Sequence, residues 1–175
     1  PGYPDLQFHF LPVAMDYDGK DQHKGHGFQA HVGPMKPTSR GQVTLRDANP
    51  MQAPNIQFNY NATEQDQRVM RQGIDLAREL IASRSFNGLA GKELKPGVGN
   101  LEDFVRERGE SAYHPSGTCR MGADPGAVTD LDGRVKGVRG LRVVDASLMP
   151  EITNGNLNAV VIMMAEKIAA GMTQS

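Results

Sequence analysis

The sequence is poor in cysteine, in charge of one sign and in long apolar runs. Cys119 is the single cysteine among 175 residues, which excludes an internal disulfide and favours a reducing compartment. The formal net charge is −1 and no basic block is present, so a small molecule is a better partner than nucleic acid. The longest apolar run, residues 159–165, is too short to span a bilayer. We therefore expect a cytoplasmic protein, with peripheral contact at the inner membrane left open.

The sequence also lacks an initiator methionine and a nucleotide-binding fingerprint. It begins Pro1-Gly2, which favours a piece of a longer polypeptide. Dinucleotide-binding folds hold the pyrophosphate with G-x-G-x-x-G between a strand and a helix, and this pattern is absent. The glycines between residues 91 and 99 do not stand between a first strand and a helix, as that fingerprint requires. This piece by itself should therefore not bind a dinucleotide tightly.

Period-two alternation of apolar and polar residues marks the first third of the chain. It occurs in residues 6–15, 27–35, 42–46 and 56–60, and a polar connection at 16–26 separates the first two segments. Glycine and proline turns bound these segments. The pattern predicts an antiparallel sheet.

The later part of the chain has helical spacing. A helix is predicted from about residue 64 to 83, capped by Asn61 or Thr63, and a shorter one at 101–108 that Gly109 ends. An apolar run at 141–144 predicts a buried strand, and residues 158–171 predict an apolar helix. A strand, a polar turn and a buried helix are half of a doubly wound α/β unit. The predicted fold class is therefore α+β, with this last strand and helix typical of an α/β domain.

Two short stretches are unusual for a protein core. His114 precedes a Pro-Ser-Gly-Thr turn, and its imidazole can exchange a proton with a hydroxyl near neutral pH. Three amides, Asn154, Asn156 and Asn158, stand in five residues just before an apolar run, at a helix N-terminus where amide donors suit a developing anion. A histidine held by backbone beside Pro115, and a helix cap at Asn158, are the simpler structural interpretations.

These stretches carry a resemblance to a known family. H-P-S-G-T-C-R-M-G at 114–122, G-R-V-K-G-V-R-G-L-R-V-V-D-A-S-L-M-P at 133–150, N-G-N-L-N-A at 154–159 and A-E-K-I-A at 165–169 resemble the C-terminal part of the glucose-methanol-choline oxidoreductases. P-D-L-Q-F-H-F-L-P-V-A-M at 4–15, K-G-H-G-F-Q-A-H-V-G at 24–33 and F-N-Y-N-A-T-E-Q-D at 58–66 resemble the choline-oxidising bacterial members in particular.

The resemblance implies an FAD-dependent alcohol dehydrogenase that oxidises choline to betaine aldehyde, in glycine betaine synthesis, by hydride transfer to flavin N5. His114 is then the base on the substrate hydroxyl, and Asn156 hydrogen-bonds the substrate oxygen. His9 matches a further active-site histidine, although a strand histidine facing a satisfied core is the simpler interpretation. The positions that match flavin-lining residues are Asp145, Ala146, Leu157 and Asn158. No metal ligands are expected.

The resemblance also implies that two parts of the chain have different roles. Residues 1–112 would be a substrate-binding portion with the antiparallel sheet and helices. Residues 113–175 would be the active-site loop and the return into the FAD-binding domain, whose N-terminal half the sequence lacks. We expect the fragment alone to be inactive.

Several alternatives stay open at this point. The substrate could be another primary alcohol, because the C-terminal motifs do not specify choline. A non-enzymatic ligand-binding module is a third interpretation. The electron acceptor, oxygen or a quinone, cannot be deduced from the sequence. Tyr113, Phe8 and Phe10 are candidates for contact with a quaternary ammonium only because they stand near the predicted histidines.

Overall fold

The computed structural model describes residues 2–15 and 23–173, so most of the predicted connection at 16–26 lies outside the described residues. The chain forms two compact units. The first unit comprises Pro1–Ser39 and Asn59–Glu110, and the second comprises Arg40–Phe58 and Ser111–Ser175. Helices and short antiparallel strands are both present, which confirms the predicted α+β class.

The first unit is built on an antiparallel strand pair covered by a helix. Strands β1 (Leu6–Leu11) and β2 (Gln29–Pro34) pair from Leu6 opposite Pro34 to Leu11 opposite Gln29. Helix α1 (Glu64–Ile81) lies on one face of this pair. A Cβ atom at Gly73 would come within 2.7 Å of Val32 Cγ2 and 3.1 Å of Leu6 Cδ2. The glycine therefore allows the helix backbone to approach the strands closely.

The start of α1 is fixed by its cap and by one buried carboxylate. Thr63 is the N-cap, and its hydroxyl accepts a hydrogen bond from the Asp66 N–H at 3.2 Å. Asp66 is only 3% exposed and accepts four hydrogen bonds of 2.5 to 2.9 Å, from the backbone N–H and hydroxyl groups of Thr38 and Ser39. Burial opposes the charged form, but these bonds outweigh it and lower the pKa of Asp66.

A second helix follows an irregular connection in the first unit. Helix α2 (Leu101–Arg108) begins after Asn100, whose side chain accepts from the Glu102 and Asp103 N–H groups, and ends at Gly109 as predicted. Arg71 of α1 pairs with Glu102 of α2 at 2.6 Å. The two helices are therefore joined near the start of α2.

The second unit contains less regular structure. Strands β3 (Gln42–Thr44) and β4 (Asn55–Gln57) form an exposed antiparallel hairpin, with Val43 opposite Ile56. Helix α3 (Asn158–Met172) supplies one side of a small core. That core comprises Leu148, Met149, Leu157 and Met164. In the described part of the chain, no helix combines the length and the apolar character needed to cross a membrane.

Two predictions about strands need correction. Within the described residues the strands form two separate two-stranded sheets, so the four alternating segments do not join one sheet. Residues 141–144 do not form a buried strand, because Leu141 and Val144 are exposed and the segment makes a single bridge, Arg134 with Arg142. An apolar run buries its side chains as a strand only when neighbouring strands pair with it along its length.

Candidate active site

His114 lies on an irregular loop that enters the second unit. The residue before it, Tyr113, has a left-handed backbone with φ of 59°, and its N–H donates to the Ser111 hydroxyl at 2.9 Å. His114 itself is half-buried, and Tyr113 is 67% exposed. A non-glycine residue rarely adopts this conformation, so the loop is locally constrained just before the histidine.

The loop after His114 is hydrogen-bonded through its backbone to the turn Ala146–Leu148. The N–H groups of Gly117, Cys119 and Met121 donate to the carbonyl oxygens of Ala146, Ser147 and Leu148 at 3.3, 3.0 and 2.8 Å. Gly117 has φ of 83°, which favours glycine. We call these three bonds the backbone braid. It holds the His114 loop beside the predicted flavin-lining residue Ala146.

The core of the second unit connects this braid to the start of α3. Leu148, the last residue of the braid, and Met149, which follows it, pack with Leu157 at the N-terminus of α3. Leu148 is fully buried. The predicted base, the predicted amide and the predicted flavin-lining residues are thus carried by segments that share one core.

The amide cluster does not cap α3. Leu157 occupies the N-cap position without a side-chain cap hydrogen bond, and Asn158 is the first helical residue, so the capping interpretation of Asn158 is wrong. The side chains of Asn154, Asn156 and Asn158 are exposed. The first intrahelical bond runs from Val161 N–H to Leu157 O at 2.9 Å, which leaves the N–H groups of the first turn without intrahelical acceptors.

Asp145 and Leu157 have structural roles that limit how they could touch a cofactor. The Asp145 carboxylate accepts from the Ser147 N–H at 2.7 Å and from the Ser147 hydroxyl at 2.5 Å, so it caps the turn that follows it. The Leu157 side chain is buried in the core. The backbone of Leu157 is thus the part that could line a ligand.

The groups at the start of α3 fit the polar edge of a flavin. They are hydrogen-bond donors: carboxamides of the amide cluster and first-turn N–H groups. The Thr153 hydroxyl oxygen is buried nearby in sequence and has no hydrogen-bond partner within residues 2–15 and 23–173. A flavin edge accepts hydrogen bonds and gains negative charge on reduction, which donors and a helix N-terminus stabilise. The donor set is therefore suited to the cofactor that the resemblance implies.

His9 belongs to the first unit. It lies on β1 directly opposite His31 of β2, and its side chain is exposed. The alternation of the strands places His9 on the face opposite to Leu6 and Val32, which α1 covers. The simpler interpretation of His9, a histidine facing a satisfied core, is therefore wrong.

Two residues near His9 were missed by the sequence analysis. Gln29 and His31 share the face of His9, and the Gln29 Nε2 lies 2.8 Å from the His31 Nε2. Burial, and secondly the charge of His9, lower the pKa of His31. The alternation in F-Q-A-H-V-G at 28–33 was the available signal, since it puts both polar side chains on one face of a strand.

No group of three or more histidine, cysteine, aspartate or glutamate side chains in residues 2–15 and 23–173 is arranged to hold a metal ion.

Comparison with protein families identifies the family of this chain. The family model described as GMC oxidoreductase matches residues 37–165. These residues contain the His114 loop, the backbone braid and the amide cluster.

Curated relatives match nearly the whole chain. It is 52% identical over 172 residues to the oxygen-dependent choline dehydrogenase of Pseudomonas fluorescens strain Pf0-1, covering 95% of this chain and 30% of the relative. The protein of the same name from Brucella anthropi is 53% identical, with 94% of this chain and 31% of the relative covered. The chain therefore spans about a third of the length of the curated relatives it matches.

Solved structures have the same fold as this chain. Pyridoxine 4-oxidase from Mesorbium loti superposes with a TM-score of 0.89 at 29% identity, covering 98% of this chain and 35% of that protein. A variant of the Aspergillus oryzae RIB40 formate oxidase, studied for its FAD modification, gives a TM-score of 0.87 at 30% identity, covering 97% and 31%.

Proposed function

The chain belongs to the GMC oxidoreductase family, and from this premise we propose that it is the C-terminal part of an FAD-dependent dehydrogenase that oxidises choline to betaine aldehyde. The substrate is taken from the relatives, which are called oxygen-dependent choline dehydrogenases and are 52% and 53% identical to this chain over the 172 aligned residues. The resemblance of residues 4–15 and 24–33 to choline-oxidising members supports the same choice.

In the proposed reaction His114 accepts the proton of the substrate hydroxyl. Asn156 donates a hydrogen bond to the same oxygen, so that negative charge on this oxygen is stabilised as the proton leaves. FAD, when bound, supplies the acceptor of the hydride at N5. We also propose His9 as a further active-site histidine, because its segment matches the one that carries such a histidine in choline-oxidising members of the family.

The residues proposed to hold the flavin are Asp145, Ala146, Leu157 and Asn158. Asp145 shapes the turn, Ala146 adjoins the braid, and Leu157 offers its backbone at the start of α3. We further propose that residues 1–112 serve the substrate and that residues 113–175 complete the FAD-binding domain. The dinucleotide moiety would then be held by polypeptide outside this chain.

One observation carries the proposal: the backbone braid fixes the His114 loop against Ala146–Leu148, and the same core contains Leu157 beside Asn156. The proposed base and the proposed amide donor are thereby attached to one packed group of residues. Catalysis of hydride transfer requires such fixed positions, because small displacements of a base cost large factors in rate.

The test is anaerobic reduction of the flavin in the full-length protein. Choline should bleach the oxidised flavin spectrum, whereas ethanol and benzyl alcohol at equal concentration should do so far more slowly. Fast bleaching by benzyl alcohol, with none by choline, would show that the substrate is another primary alcohol and not choline. Absence of bleaching by any alcohol would favour a non-enzymatic module.

A different alcohol is the second candidate, and the structural comparison favours keeping it. Pyridoxine 4-oxidase has nearly the same fold over 98% of this chain although its name specifies another substrate. The fold therefore does not select choline by itself.

Oxygen is the proposed electron acceptor, because the relatives are named as oxygen-dependent enzymes. Oxygen uptake during choline turnover in the purified full-length protein would support this. Turnover that requires an added quinone would contradict it.

A further inference from the structure

Ser147 of the second unit is hydrogen-bonded on two sides, and the proposed chemistry gives it no role. Its hydroxyl and its N–H both donate to Asp145 Oδ1, at 2.5 and 2.7 Å. Its carbonyl oxygen accepts from the Cys119 N–H at 3.0 Å, which is the central bond of the backbone braid. Ser147 therefore connects the proposed flavin-lining residue Asp145 to the loop that carries His114.

The turn that contains Ser147 has weak backbone bonds of its own. Ala146–Leu148 is a single turn of 3₁₀ helix, and the N–H groups of residues 148 and 149 close it with bonds of 3.2 Å. Such turns have poor hydrogen-bond geometry. The two bonds to the Asp145 carboxylate are shorter, and bonds to a charged acceptor are stronger than neutral ones. The Ser147 hydroxyl thus contributes one of the stronger bonds that fix the conformation of this turn.

The conformation of the turn sets the direction of the three carbonyl groups that accept the braid bonds. These are the carbonyl groups of residues 146–148. The loop lies directly on the turn, since a Cβ atom at Gly117 would be 3.2 Å from Met149 O. Hydrogen bonds weaken steeply when donor and acceptor are misaligned. A turn that loses its conformation would therefore loosen or displace the backbone of the His114 loop.

The main chain between the braid and His114 has little freedom to absorb such a displacement. The first braid donor is Gly117, and only Pro115 and Ser116 stand between it and His114. Proline fixes its own φ at about −65° and restricts the backbone of the residue before it, which is His114. A shift of Gly117 is therefore transmitted to the imidazole.

We propose that Ser147 is a positioning residue for His114: its hydroxyl holds the turn in the conformation whose carbonyl groups fix the His114 loop. The inference rests on the proposed function, in which His114 accepts the substrate proton. Ser147 acts through the loop and touches neither substrate nor flavin. Loss of its hydroxyl should slow the reaction, because a base displaced by about 1 Å can lose ~10²-fold in rate.

The first test measures the braid without using catalysis. Amide hydrogen exchange, followed by mass spectrometry in the full-length protein with FAD, should be faster in Ser147→Ala for peptides that span the braid donors, while peptides from α1 stay unchanged. Ser83→Ala is the matched control, because Ser83 is exposed in the first unit and makes no side-chain cap bond. Unchanged exchange of the braid donors in Ser147→Ala would overturn the proposal.

The second test measures the rate of flavin reduction by stopped flow. In Ser147→Ala the limiting rate at saturating choline should fall ~10-fold, less than the ~10²–10⁴-fold contribution of a base. The choline concentration for half-maximal rate should stay nearly constant. Ser147→Thr retains the hydroxyl and should restore most of the rate. Ser147→Cys, whose thiol donates weakly, should lie between these two and replaces Ser147→Ala if that variant does not retain flavin.

A double variant separates this role from a general structural one. In a His114→Ala background Ser147→Ala should cause no further loss of rate, because the imidazole through which Ser147 acts is absent. A further ~10-fold loss in the double variant would show that Ser147 acts on another group and would overturn the proposal, as would a wild-type rate in Ser147→Ala alone. An unchanged rate in His114→Ala would instead refute the proposed function, whatever the result for Ser147.

Discussion

The two units differ in what holds their proposed active-site residues. In the first unit His9 is on a strand, and a helix covers the other face of that strand pair. In the second unit His114 and Asn156 are on irregular segments, fixed by the backbone braid and by a core of four buried side chains. Precise placement of a loop residue therefore needs long-range backbone bonds, whereas a strand residue is placed by its register.

The difference extends to the way each unit uses charge. The first unit buries a carboxylate, Asp66, and satisfies it with four donors. The ion pairs described in the second unit are on the surface, as between Arg120 and Asp124 at 2.7 Å, a pairing that holds the pKa of Asp124 well below its usual range. The first unit is therefore expected to be the more sensitive to loss of a single charge.

The largest expected effect concerns His114, the proposed base in the second unit. We expect His114→Ala to lower the rate of flavin reduction by choline ~10²–10⁴-fold in the full-length protein, the usual contribution of a general base. Stopped-flow absorbance measures this rate. His26→Ala, at an exposed turn of the first unit, is the control and should react normally. An unchanged rate of flavin reduction in His114→Ala would show that His114 is not the base.

The second unit should depend strongly on its small core. Leu148→Ala is expected to lower the free energy of unfolding by ~2–5 kcal/mol, because the side chain is fully buried and leaves a cavity. Urea unfolding followed by circular dichroism measures it. Leu76→Ala on α1, where the side chain is 39% exposed, should cost less than about 1 kcal/mol. Equal losses of unfolding free energy in Leu148→Ala and Leu76→Ala would contradict the expectation that the second unit depends more strongly on its small core.

The first unit should depend on the charge of Asp66. Asp66→Asn is expected to cost ~1–3 kcal/mol at neutral pH, since an amide cannot accept from all four donors. The pKa of Asp66 is lower in the folded than in the unfolded chain, so its contribution is present above about pH 4 and is lost as the pH falls through the folded value.

The advantage of wild type over Asp66→Asn should accordingly shrink in acid. Urea midpoints at a series of pH values measure this. Asp75→Asn, at an exposed position of the same helix that pairs with Arg78 at 3.7 Å, is the control. A constant difference between wild type and Asp66→Asn across pH would show that the charge of Asp66 is not the cause.

The smallest expected effect concerns the N-cap of α1. Thr63→Ala should lower stability by about 1 kcal/mol through loss of the bond to the Asp66 N–H. Thr63→Ser keeps the hydroxyl and should restore most of the stability. The comparison of the two melting temperatures separates the cap from the loss of the methyl group.

The helices could be predicted from the sequence because their signals are local. Thr63 and Gly109 mark a start and an end within a few residues of the periodic pattern they bound, and α1 and α2 begin where predicted. The apolar period of α3 likewise gave its first residue, Asn158. Short-range capping and packing along one helix determine such bounds.

The second unit was harder to predict because its structure depends on distant residues. The run 141–144 has the composition of a buried strand, yet its burial depended on partners that the pattern could not specify. The segment between this run and the last helix was predicted only as a polar turn, although Leu148 and Met149 within it belong to the buried core. The pairing of Gly117, Cys119 and Met121 with Ala146–Leu148 joins segments about thirty residues apart and has no signal in either one.

The candidate site was predicted through motif resemblance more than through pattern. The physical chemistry of His114 and Asn156 indicated a proton acceptor and a donor, and their roles stay predictions. Gln29 and His31 were overlooked because alternation was used to find apolar faces and not polar ones. Their contact became visible only when the register of β1 and β2 was known.

The backbone braid also determines how the His114 loop can be engineered. Because its bonds use main-chain N–H groups, a mutant library over this loop must exclude proline at positions 117, 119 and 121. Positions 116 and 118 alternate with these donors and take no part in the three bonds. Substitutions at these two positions should yield new substrate preferences while the backbone conformation of the loop is retained.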